Sequence, residues 1–486
     1  MAYNHGVRVL ENPTSLVAPV TGTAGLQVIF GTAPVNMALD PYGATNRPIL
    51  AYSFSEASAA VGYTDNFKDY TLCQSIDVSF RALNVAPIIL VNVLDPARHK
   101  SNMTAESYDV EDKQAIVKVF GLLLDKLEVK NGETSLQADV DYVASFDAEG
   151  YAVITILESG NAAGASSLSV SGVKIDPSLV TANDIIGGYD VATGKESGLE
   201  LVRQVYPLLG LTPGLIVVPG WSKEPEVAAV ISAKCLNING SFTCEAIVDL
   251  DCTAAGATKY TDVKAVKERT GLVSAHLAAA WPKVKIGSKV YYYSAVFAAL
   301  ISYTDANNDD VPNLSASNKT LPITALCLDD DAGTEIVLDQ EQANVVNSFG
   351  VVTAINQNGF RSWGNNSAAY PGTTDPKDRW FCCRRFFSWW GNSFILTYFQ
   401  KVDDPANFRL IEAICDSENI RGNSYVAQGK CAGCKIVYNA DENPITDVLN
   451  GKIQFKQYLA PYTPAEDILN VLEFSPDMLA AALGGE

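Results

Sequence analysis

The stretch Gly451–Phe474, GKIQFKQYLAPYTPAEDILNVLEF, contains two β-like runs separated by a proline-rich joint. In the first run, Ile453 and Phe455 alternate with charged and polar neighbours, which is the two-residue period of a half-buried strand. Pro461 and Pro464 then prevent a helix and stiffen the connection. A second strand beyond such a joint needs a sheet to join, in its own chain or in a neighbouring one.

The second run is apolar on most of both faces, as a strand that is covered on two sides would be. Its apolar side chains are Ile468, Leu469, Val471, Leu472 and Phe474. The other end of the chain is similar, because HGVRVLE at residues 5–11 alternates with Val7 and Val9 on one face, and a loop rich in Pro, Thr and Gly follows. We therefore expect a lone strand on a flexible arm at each end.

Length and composition predict a globular chain of several domains. The 486 residues are too many for one hydrophobic core, and 48% hydrophobic with 19% charged residues is typical of folded proteins. No apolar run is long enough to span a membrane, and the first residues lack the features of a signal peptide. We expect the protein to remain in the cytoplasm where it is made, with no direct membrane partner.

The net charge of −20 argues against direct nucleic-acid binding, since phosphate backbones select basic surfaces. The charge is uneven along the chain. Residues 351–486 carry 12 Lys and Arg against 15 Asp and Glu, which leaves a net charge of −17 on residues 1–350. The C-terminal part is therefore expected to present a mixed-charge surface to a partner.

Apolar runs alternate between strand and helix patterns in two separate parts of the chain. Residues 25–31, 48–52 and 86–94 read as strands, and residues 69–83 space their apolar side chains as a helix does. The alternation resumes after residue 190, with helices at 197–209, 223–236 and 259–270 and strands at 215–218 and 242–250. This pattern predicts one α/β domain built from both parts.

Residues 105–190 have a different character and predict an inserted β-rich domain. NGE at 131–133 and AEG at 148–150 are hairpin-turn signals, and a strand at 151–157 follows the second. Together with a C-terminal α+β part, the predicted fold class is a mixed, multi-domain α/β protein. The predicted units are an N-terminal arm at 1–24, a discontinuous α/β domain at 25–104 and 191–350, the insertion at 105–190, a C-terminal domain at 351–460 and a C-terminal arm at 461–486.

Several enzyme motifs are incomplete in this sequence. GYDVATGK at 188–195 lacks the first glycine of a phosphate loop, because Tyr189 stands there, and Glu196 replaces the Ser or Thr that would hold magnesium. Asp305 and the next two alternate residues match the start of a calcium loop, but the later ligands are missing. We expect solvated acidic loops there and at 329–331. The alternative function, an α/β enzyme with a β insertion and carboxylate chemistry, stays open.

Cysteine and histidine patterns predict no cofactor and no metal. Among ten cysteines only Cys431 and Cys434 have ligand spacing, and no second pair accompanies them. His5, His99 and His276 are too scattered in the sequence to suggest a catalytic set. The cysteines are expected to be reduced residues in apolar segments.

The aromatic run DRWFCCRRFFSWW at 378–390 has two interpretations, a core helix whose arginines lie at an interface or a surface that stacks on nucleic acid. The acidic balance of the region favours the core helix.

Six segments, taken in order along the chain, resemble the sheath proteins of contractile phage tails and of related contractile injection machines. They are HGVRVLE at 5–11, GFRSWGN at 359–365, RRFFSWWGNSF at 384–394, KVDDPANFRLIEAI at 401–414, QGKCAGCKIVYNADENP at 428–444 and the C-terminal stretch quoted above. Asn366 and Ser367 depart from the Arg-Thr that many relatives carry. The resemblance runs from end to end and is weakest at 105–190.

The resemblance implies a structural subunit that polymerises helically, as hexameric rings, around an inner tube and contracts to drive that tube through a cell envelope. It implies that both terminal arms add strands to a sheet in neighbouring subunits, with Ile453 and Phe455 in the acceptor strand. It also implies no enzymatic activity. Its implied partners are further copies of the chain, a tail tube protein, and baseplate and tail terminator proteins. The expected location is the virion tail, after assembly in the host cytoplasm.

The resemblance also implies a surface that faces the tube, which we expect within residues 380–430. The candidate tube-facing residues are Arg384, Arg385, Arg409 and Arg421, which alternate with acidic residues. Complementary charge would hold a tube weakly enough to slide. The C-terminal domain at 351–460 is accordingly expected near the tube, and the insertion at 105–190 on the outer surface.

Overall fold

The computed structural model describes residues 22–484, so the predicted arm residues Val7 and Val9 lie outside the described part. The chain combines helices with several sheets, which confirms the predicted mixed class. The first strands are β1 (Gln27–Gly31), β2 (Ile49–Ala51) and β3 (Ile88–Asn92). Residues 100–197 contain β4 (Lys100–Asp109), β5 (Gln114–Phe120), β6 (Glu128–Asn131), β7 (Thr134–Ser135), β8 (Tyr142–Phe146), β9 (Tyr151–Ile156), β10 (Ser167–Ile175), β11 (Gly188–Asp190) and β12 (Lys195–Ser197).

The remaining strands follow the insertion. They are β13 (Leu215–Val217), β14 (Glu245–Asp249), β15 (Leu277–Ala280), β16 (Lys283–Ile286), β17 (Lys289–Tyr291), β18 (Ala325–Cys327), β19 (Glu335–Ile336), β20 (Val351–Asn356), β21 (Phe360–Trp363), β22 (Cys431–Tyr438) and β23 (Phe455–Pro461). The helices are α1 (Phe54–Val61), α2 (Thr71–Asp77), α3 (Ala182–Ile186), α4 (Val205–Leu209), α5 (Pro225–Leu236), α6 (Val263–Thr270), α7 (Tyr293–Ala306), α8 (Gln340–Ser348), α9 (Pro376–Arg379), α10 (Phe381–Tyr398), α11 (Phe408–Ala427), α12 (Ile445–Leu449) and α13 (Pro476–Ala482).

An eight-stranded sheet joins the two parts of the chain that flank the insertion, in the order β2-β3-β1-β13-β14-β15-β20-β21. Its six central strands are parallel, and β2 and β21 pair antiparallel at the two edges. Every residue of β1 and β3 is buried, which explains their continuous apolar sequences. The sheet includes β20 and β21, so it extends past residue 350, where we expected the α/β domain to end.

Helix α1 is capped at its start by Ser53, whose hydroxyl accepts a hydrogen bond from the Glu56 backbone N–H at 3.2 Å. Most of the predicted helix at 197–209 is a tighter 3-10 stretch, Gly198–Gln204, which leads into α4. The helical character of this segment was predicted, but its hydrogen-bond spacing was not.

The insertion contains two small sheets, β4-β10-β6-β7 and β5-β9-β8, around a hydrophobic core of their own. Both predicted turns are present, since β6 turns into β7 after Asn131 and β8 turns into β9 before Tyr151. Lys100 pairs with Ile175 at the base of the unit, five residues before the predicted start at 105. These two strand ends are therefore neighbours, which is the geometry of an insertion that can be excised.

The aromatic run at 378–390 forms the beginning of α10, and its large side chains are buried. Trp389 and Trp390 pack against Phe386 and against Tyr425 of α11, with ring centroids 5.4 to 5.9 Å apart. Such buried rings cannot stack on nucleic acid, so the interpretation as a core helix is confirmed. The pair α10 and α11 forms the base on which β22 and β23 lie.

Candidate assembly surface

Strands β22 and β23 form a two-stranded antiparallel sheet, with Tyr438 opposite Phe455 at one end and Cys431 opposite Pro461 at the other. Side chains along β23 alternate between half-buried and exposed, and Phe455 belongs to the half-buried set. The alternation predicted for this stretch is confirmed. Ile453 is half-buried as well, but it lies ahead of the strand.

Asn443 sets the point at which β23 begins. Its side-chain carbonyl accepts from the Gln454 N–H at 2.7 Å, and its amide donates to the Gln454 carbonyl at 2.9 Å. The Asn443 side chain thus makes both backbone hydrogen bonds of Gln454 that a partner strand would make. Regular strand pairing therefore starts one residue later, at Phe455. The predicted strand is therefore two residues shorter at its start than the sequence period suggested.

The C-terminal arm leaves this sheet without forming a strand in its own subunit. Residues 462–474 make no regular secondary structure, and their apolar side chains face solvent. Ile468 is 85% exposed and Leu472 is 87% exposed, and the other three apolar arm residues are exposed as well. A run of large apolar side chains in solvent marks a site of interaction with another molecule. Ser475 then caps the short helix α13 by accepting from the Met478 N–H at 3.3 Å.

The base of the arm is attached to its own subunit through Arg379. This guanidinium donates from Nη2 to Glu466 Oε2 at 2.8 Å and from Nε to Asn366 Oδ1 at 2.9 Å. It also lies 4.0 Å from the centroid of the Trp380 ring and 4.7 Å from that of Tyr370. Three kinds of contact thus hold one arginine, and through it they hold the arm at Glu466. The apolar residues beyond that point extend freely.

Two of the four candidate tube-facing arginines lie in the interior, which corrects the prediction for them. Arg385 is 3% exposed and makes a two-point ion pair with Asp305 at the end of α7. Arg421 is 5% exposed, donates to Glu418 Oε1 at 3.2 Å and lies 4.1 Å from the centroid of the Trp390 ring. A guanidinium paired inside its own subunit cannot meet a partner's surface, so both residues hold α10 and α11 in place.

The other two arginines are closer to solvent. Arg384 is largely covered and donates to Asp378 Oδ1 at 3.2 Å, while Arg409 is exposed in the first turn of α11. Of the four, Arg409 is the one that the structure leaves free to contact another molecule.

No family model matches the chain, but individual proteins do. It is 25% identical to the tail sheath protein of Burkholderia phage BcepMu, over 99% of both chains. The tail sheath protein of Escherichia phage P2 is 23% identical over 59% of this chain and 69% of its own length. Among solved structures, a sheath complex of the extracellular contractile injection system PVC in its contracted state has a TM-score of 0.58 at 12% identity, covering 98% of this chain and 100% of that one. The contracted helical sheath of the anti-feeding prophage has a TM-score of 0.55 at 14% identity, over the same shares.

The fold is that of a contractile sheath protein. The resemblance that six sequence segments indicated is therefore confirmed, and it extends over nearly the whole length of the phage relative. The relatives named above are sheath proteins, and none of the comparisons supports the alternative of an α/β enzyme.

The two acidic segments are largely exposed, as predicted, but one carboxylate in each is paired inside the fold. Asp305 is buried and pairs with Arg385, whereas Asp309 pairs with Lys430 at 3.0 Å and stays 81% exposed. Asp329 binds both Lys223 and Lys283 at 2.9 Å. Sequence periodicity could not show this, because each carboxylate finds a cation from a distant part of the chain.

The cysteines have no ligand role that the described residues support. Burial raises the pKa of the Cys431 thiol, and it raises the pKa of the Cys434 thiol to about 12 despite the Gln457 amide nearby. Both shifts favour the protonated thiol, as is usual for cysteines in apolar surroundings. Between residues 22 and 484, no group of three His, Cys, Asp or Glu side chains is arranged to hold a metal ion, and no helix is long and apolar enough to span a bilayer.

Arg379 and Glu466 form the contact at the base of the arm, which sequence reasoning missed. Glu466 lies in the Pro-Ala-Glu joint, and Arg379 is the second residue of the aromatic run, but 87 residues separate the two. The only sequence signal is one acidic residue between a stiff joint and an apolar run, which by itself names no partner.

Proposed function

We propose that this chain is the structural subunit of a contractile tail sheath, which polymerises helically around an inner tube and contracts to drive that tube through a cell envelope. The observation that carries the proposal is the match to a phage tail sheath protein over 99% of both chains. The likeness to sheaths in the contracted state, at TM-scores of 0.55 and 0.58, supports it. As a virion tail protein, the subunit would be assembled in the host cytoplasm.

Strand exchange through the terminal arms would link the subunits. The segment from Ile468 to Phe474 exposes apolar side chains in its own subunit and finds no sheet there. Added to the sheet of β22 and β23 in a neighbour, it would gain backbone hydrogen bonds for affinity and alternate side-chain contacts for register. Such an interface uses two different surfaces, so it propagates into rings and helices rather than closing as a dimer. The N-terminal arm with Val7 and Val9 would add a second link.

The C-terminal arm would allow subunits to move during contraction without separating. In each subunit this arm is attached at Glu466 and exposed beyond it, so the rest of a subunit can rotate while the donated strand stays paired. In this scheme the extended sheath is metastable, and contraction releases free energy as the outer parts form larger contacts.

The proposed partners are further copies of the chain, a tail tube protein, a baseplate and a tail terminator. Support for a baseplate contact comes from the anti-feeding prophage baseplate, which contains a chain with a TM-score of 0.56 to this one at 14% identity. For the tube we retain the region 380–430, with Arg409 and the partly covered Arg384 as candidates. We propose the same five units as the sequence suggested, with the α/β sheet continuing through β20 and β21 and the insertion beginning at Lys100. We place the insertion on the outer surface, away from the tube.

Electron microscopy of the purified full-length protein tests the proposal. Ribbed tubes or stacked rings at micromolar concentration are the expected result. A protein that remains monomeric at every concentration and salt condition tried, with or without a tube protein, would contradict it.

A further inference from the structure

Helix α11 runs along the β22 edge of the two-stranded sheet of β22 and β23, which we call the acceptor sheet. It forms hydrogen bonds with backbone groups at this edge. Asn419 donates from Nδ2 to the Ile436 carbonyl at 3.2 Å and accepts at Oδ1 from the Ile436 N–H at 3.0 Å. A side-chain amide that satisfies both the donor and the acceptor of one residue takes the place of a neighbouring strand.

These contacts identify which backbone groups point outward. In an antiparallel pair, opposite residues either exchange both hydrogen bonds or both turn their backbone groups away from each other. Ile436 is bonded to Asn419, so it belongs to the outward set, and its opposite residue, Gln457 of β23, belongs to it as well. Alternation then places Leu459 in the same outward set on β23.

The outer edge of β23 has no such cover. In the part of the chain that the structure describes, no helix side chain is hydrogen-bonded to the backbone of Phe455–Pro461, in contrast to the two hydrogen bonds that Asn419 of α11 makes to Ile436 of β22. The sheet therefore has one edge filled by its own subunit and one edge with free N–H and C=O groups, and free strand edges attract further strands.

We infer that a neighbouring subunit's arm adds only at β23, and that Asn419 determines this choice by closing the edge of β22. This rests on the proposed function and specifies its interface. The occupant is the segment 468–474 of a second copy, because its seven residues equal the seven of β23 in number and its apolar side chains are exposed in its own subunit. The order of strands becomes β22, β23, donated arm. A second donated strand would then pair with the first donated strand, because the outer edge of β22 is already hydrogen-bonded to α11.

Hydrogen exchange on a full-length chain tests this edge assignment. The Leu472→Lys variant serves as an unassembled acceptor, because its own arm is altered while β22 and β23 are untouched. The probe is a synthetic peptide with the native sequence of residues 465–476, and the control probe is the same peptide carrying Leu472→Lys. The native peptide is expected to slow exchange in the segment 455–461 by about tenfold or more, with the segment 431–438 unchanged. The control peptide is expected to protect neither segment.

Asn419→Ala in the same acceptor provides the second measurement. Exchange in the segment 431–438 should become about tenfold faster, since Ile436 loses both of its partners, and the peptide should still protect 455–461. Unchanged exchange in 431–438 would overturn the role of Asn419.

Failure of this inference is distinct from failure of the proposed function. Native chain that forms tubes while the peptide protects 431–438 would leave the sheath function standing and overturn the edge assignment. Tubes without protection of either segment would also overturn the edge assignment, whereas a native chain that neither forms tubes nor binds the peptide would overturn both.

Discussion

Gly422 shows how one missing side chain can shape an interface between a helix and a strand. A Cβ atom at this position would lie 2.7 Å from both the Cβ and the Sγ atoms of Cys434 in β22. The absence of that atom lets α11 approach closely enough for Asn419, one turn away, to bond the Ile436 backbone. The glycine is needed for the approach of two elements rather than for an unusual backbone angle.

Gly422→Ala should therefore destabilise the protein by roughly 1–3 kcal/mol, the usual effect of overpacking. Gly391→Ala is the matched control, because Gly391 is also helical but a Cβ there would contact nothing within 4 Å. The control should gain about 0.5–1 kcal/mol from higher helix propensity. Urea denaturation followed by circular dichroism measures the free energy of unfolding of both variants. A Gly422→Ala protein as stable as the Gly391→Ala protein would contradict the packing argument.

Asp329 makes the stability of the fold depend on pH in the acidic range. Burial alone would raise the pKa of this carboxyl, but the ammonium groups of Lys283 and Lys223 outweigh burial and hold the pKa well below its ordinary value. A carboxylate with a lowered pKa in the folded state stabilises the fold above the unfolded value of about 3.9, and this contribution disappears as the pH falls through the folded value.

Asp329→Asn should lower the urea midpoint at pH 7, and the difference from the native protein should shrink as the pH falls below about 4. Asp331→Asn is the control, since Asp331 is 97% exposed in a surface pair with Lys68 and should change the midpoint little at any pH. A difference for Asp329→Asn that stays constant from pH 7 to pH 3 would show that the contribution of this residue is not ionic.

At the scale of elements, the period of apolar residues in the sequence was sufficient to locate strands that pair within the chain. It was insufficient to predict the conformation of the C-terminal arm. Alternation of Phe455 with its neighbours located β23, because burial by α10 and α11 imposes that period. The run from Ile468 to Phe474 has an equally strong pattern, yet it is no strand in the isolated subunit. Strand formation requires a partner edge, and a pattern in one chain cannot say which molecule supplies it. Arg385 could not be placed for a similar reason, since Asp305 lies 80 residues away.

Leu472→Lys should prevent polymerisation without changing the fold of the subunit. Leu472 is 87% exposed in the subunit, so the substitution removes no internal contact. In a neighbour's sheet the leucine would contribute roughly 1.5–3 kcal/mol if fully buried, and a lysine there would add an unpaired charge. Sedimentation measures particle size, and circular dichroism measures folding at the same concentration.

Val337→Lys is the matched control for the arm, because Val337 is 88% exposed and lies far from it in the sequence. It should form polymers of normal length. Normal polymers from Leu472→Lys would contradict strand exchange through this arm.

Glu466→Gln tests the attachment of the arm at its base. The ion pair with Arg379 is partly exposed, so its loss should lower stability by no more than about 1 kcal/mol. The direction in which the arm leaves the subunit should become less defined, and the cost of ordering it in a neighbour should rise. We expect a several-fold higher protein concentration at the onset of polymerisation, measured by light scattering, and an unchanged thermal transition. An unchanged onset would show that the arm needs no fixed departure point.

At the scale of the whole molecule, the insertion is a separate unit from the elements that we propose to take part in assembly. The eight-stranded sheet draws on both sides of the insertion, while residues 100–175 have a core of their own. The sequence located this unit from its turns, but its start was displaced by five residues and its end by fifteen, because only pairing of Lys100 with Ile175 defines where the two strands meet. Contacts with the body include the Tyr42 hydroxyl donating to Asp125 at 3.0 Å, and Leu123 and Phe120, which pack into the hydrophobic core of the body.

Removal of residues 102–173, with an Asn-Gly turn joining Ser101 to Lys174, should leave polymerisation intact. These two residues are opposite each other in the ladder of β4 and β10, so a two-residue turn can close the remaining strands as a hairpin. The excised unit takes its own core with it, whereas α11, the acceptor sheet and the C-terminal arm are all retained. The deletion also exposes Tyr70, whose ring packs 5.8 Å from that of Phe120, so Tyr70→Ser should accompany it. Tubes of normal length but smaller diameter in electron micrographs are the expected result. Folded subunits that no longer polymerise would show that the insertion takes part in assembly, and tubes of unchanged outer diameter would show that it does not lie on the outer surface.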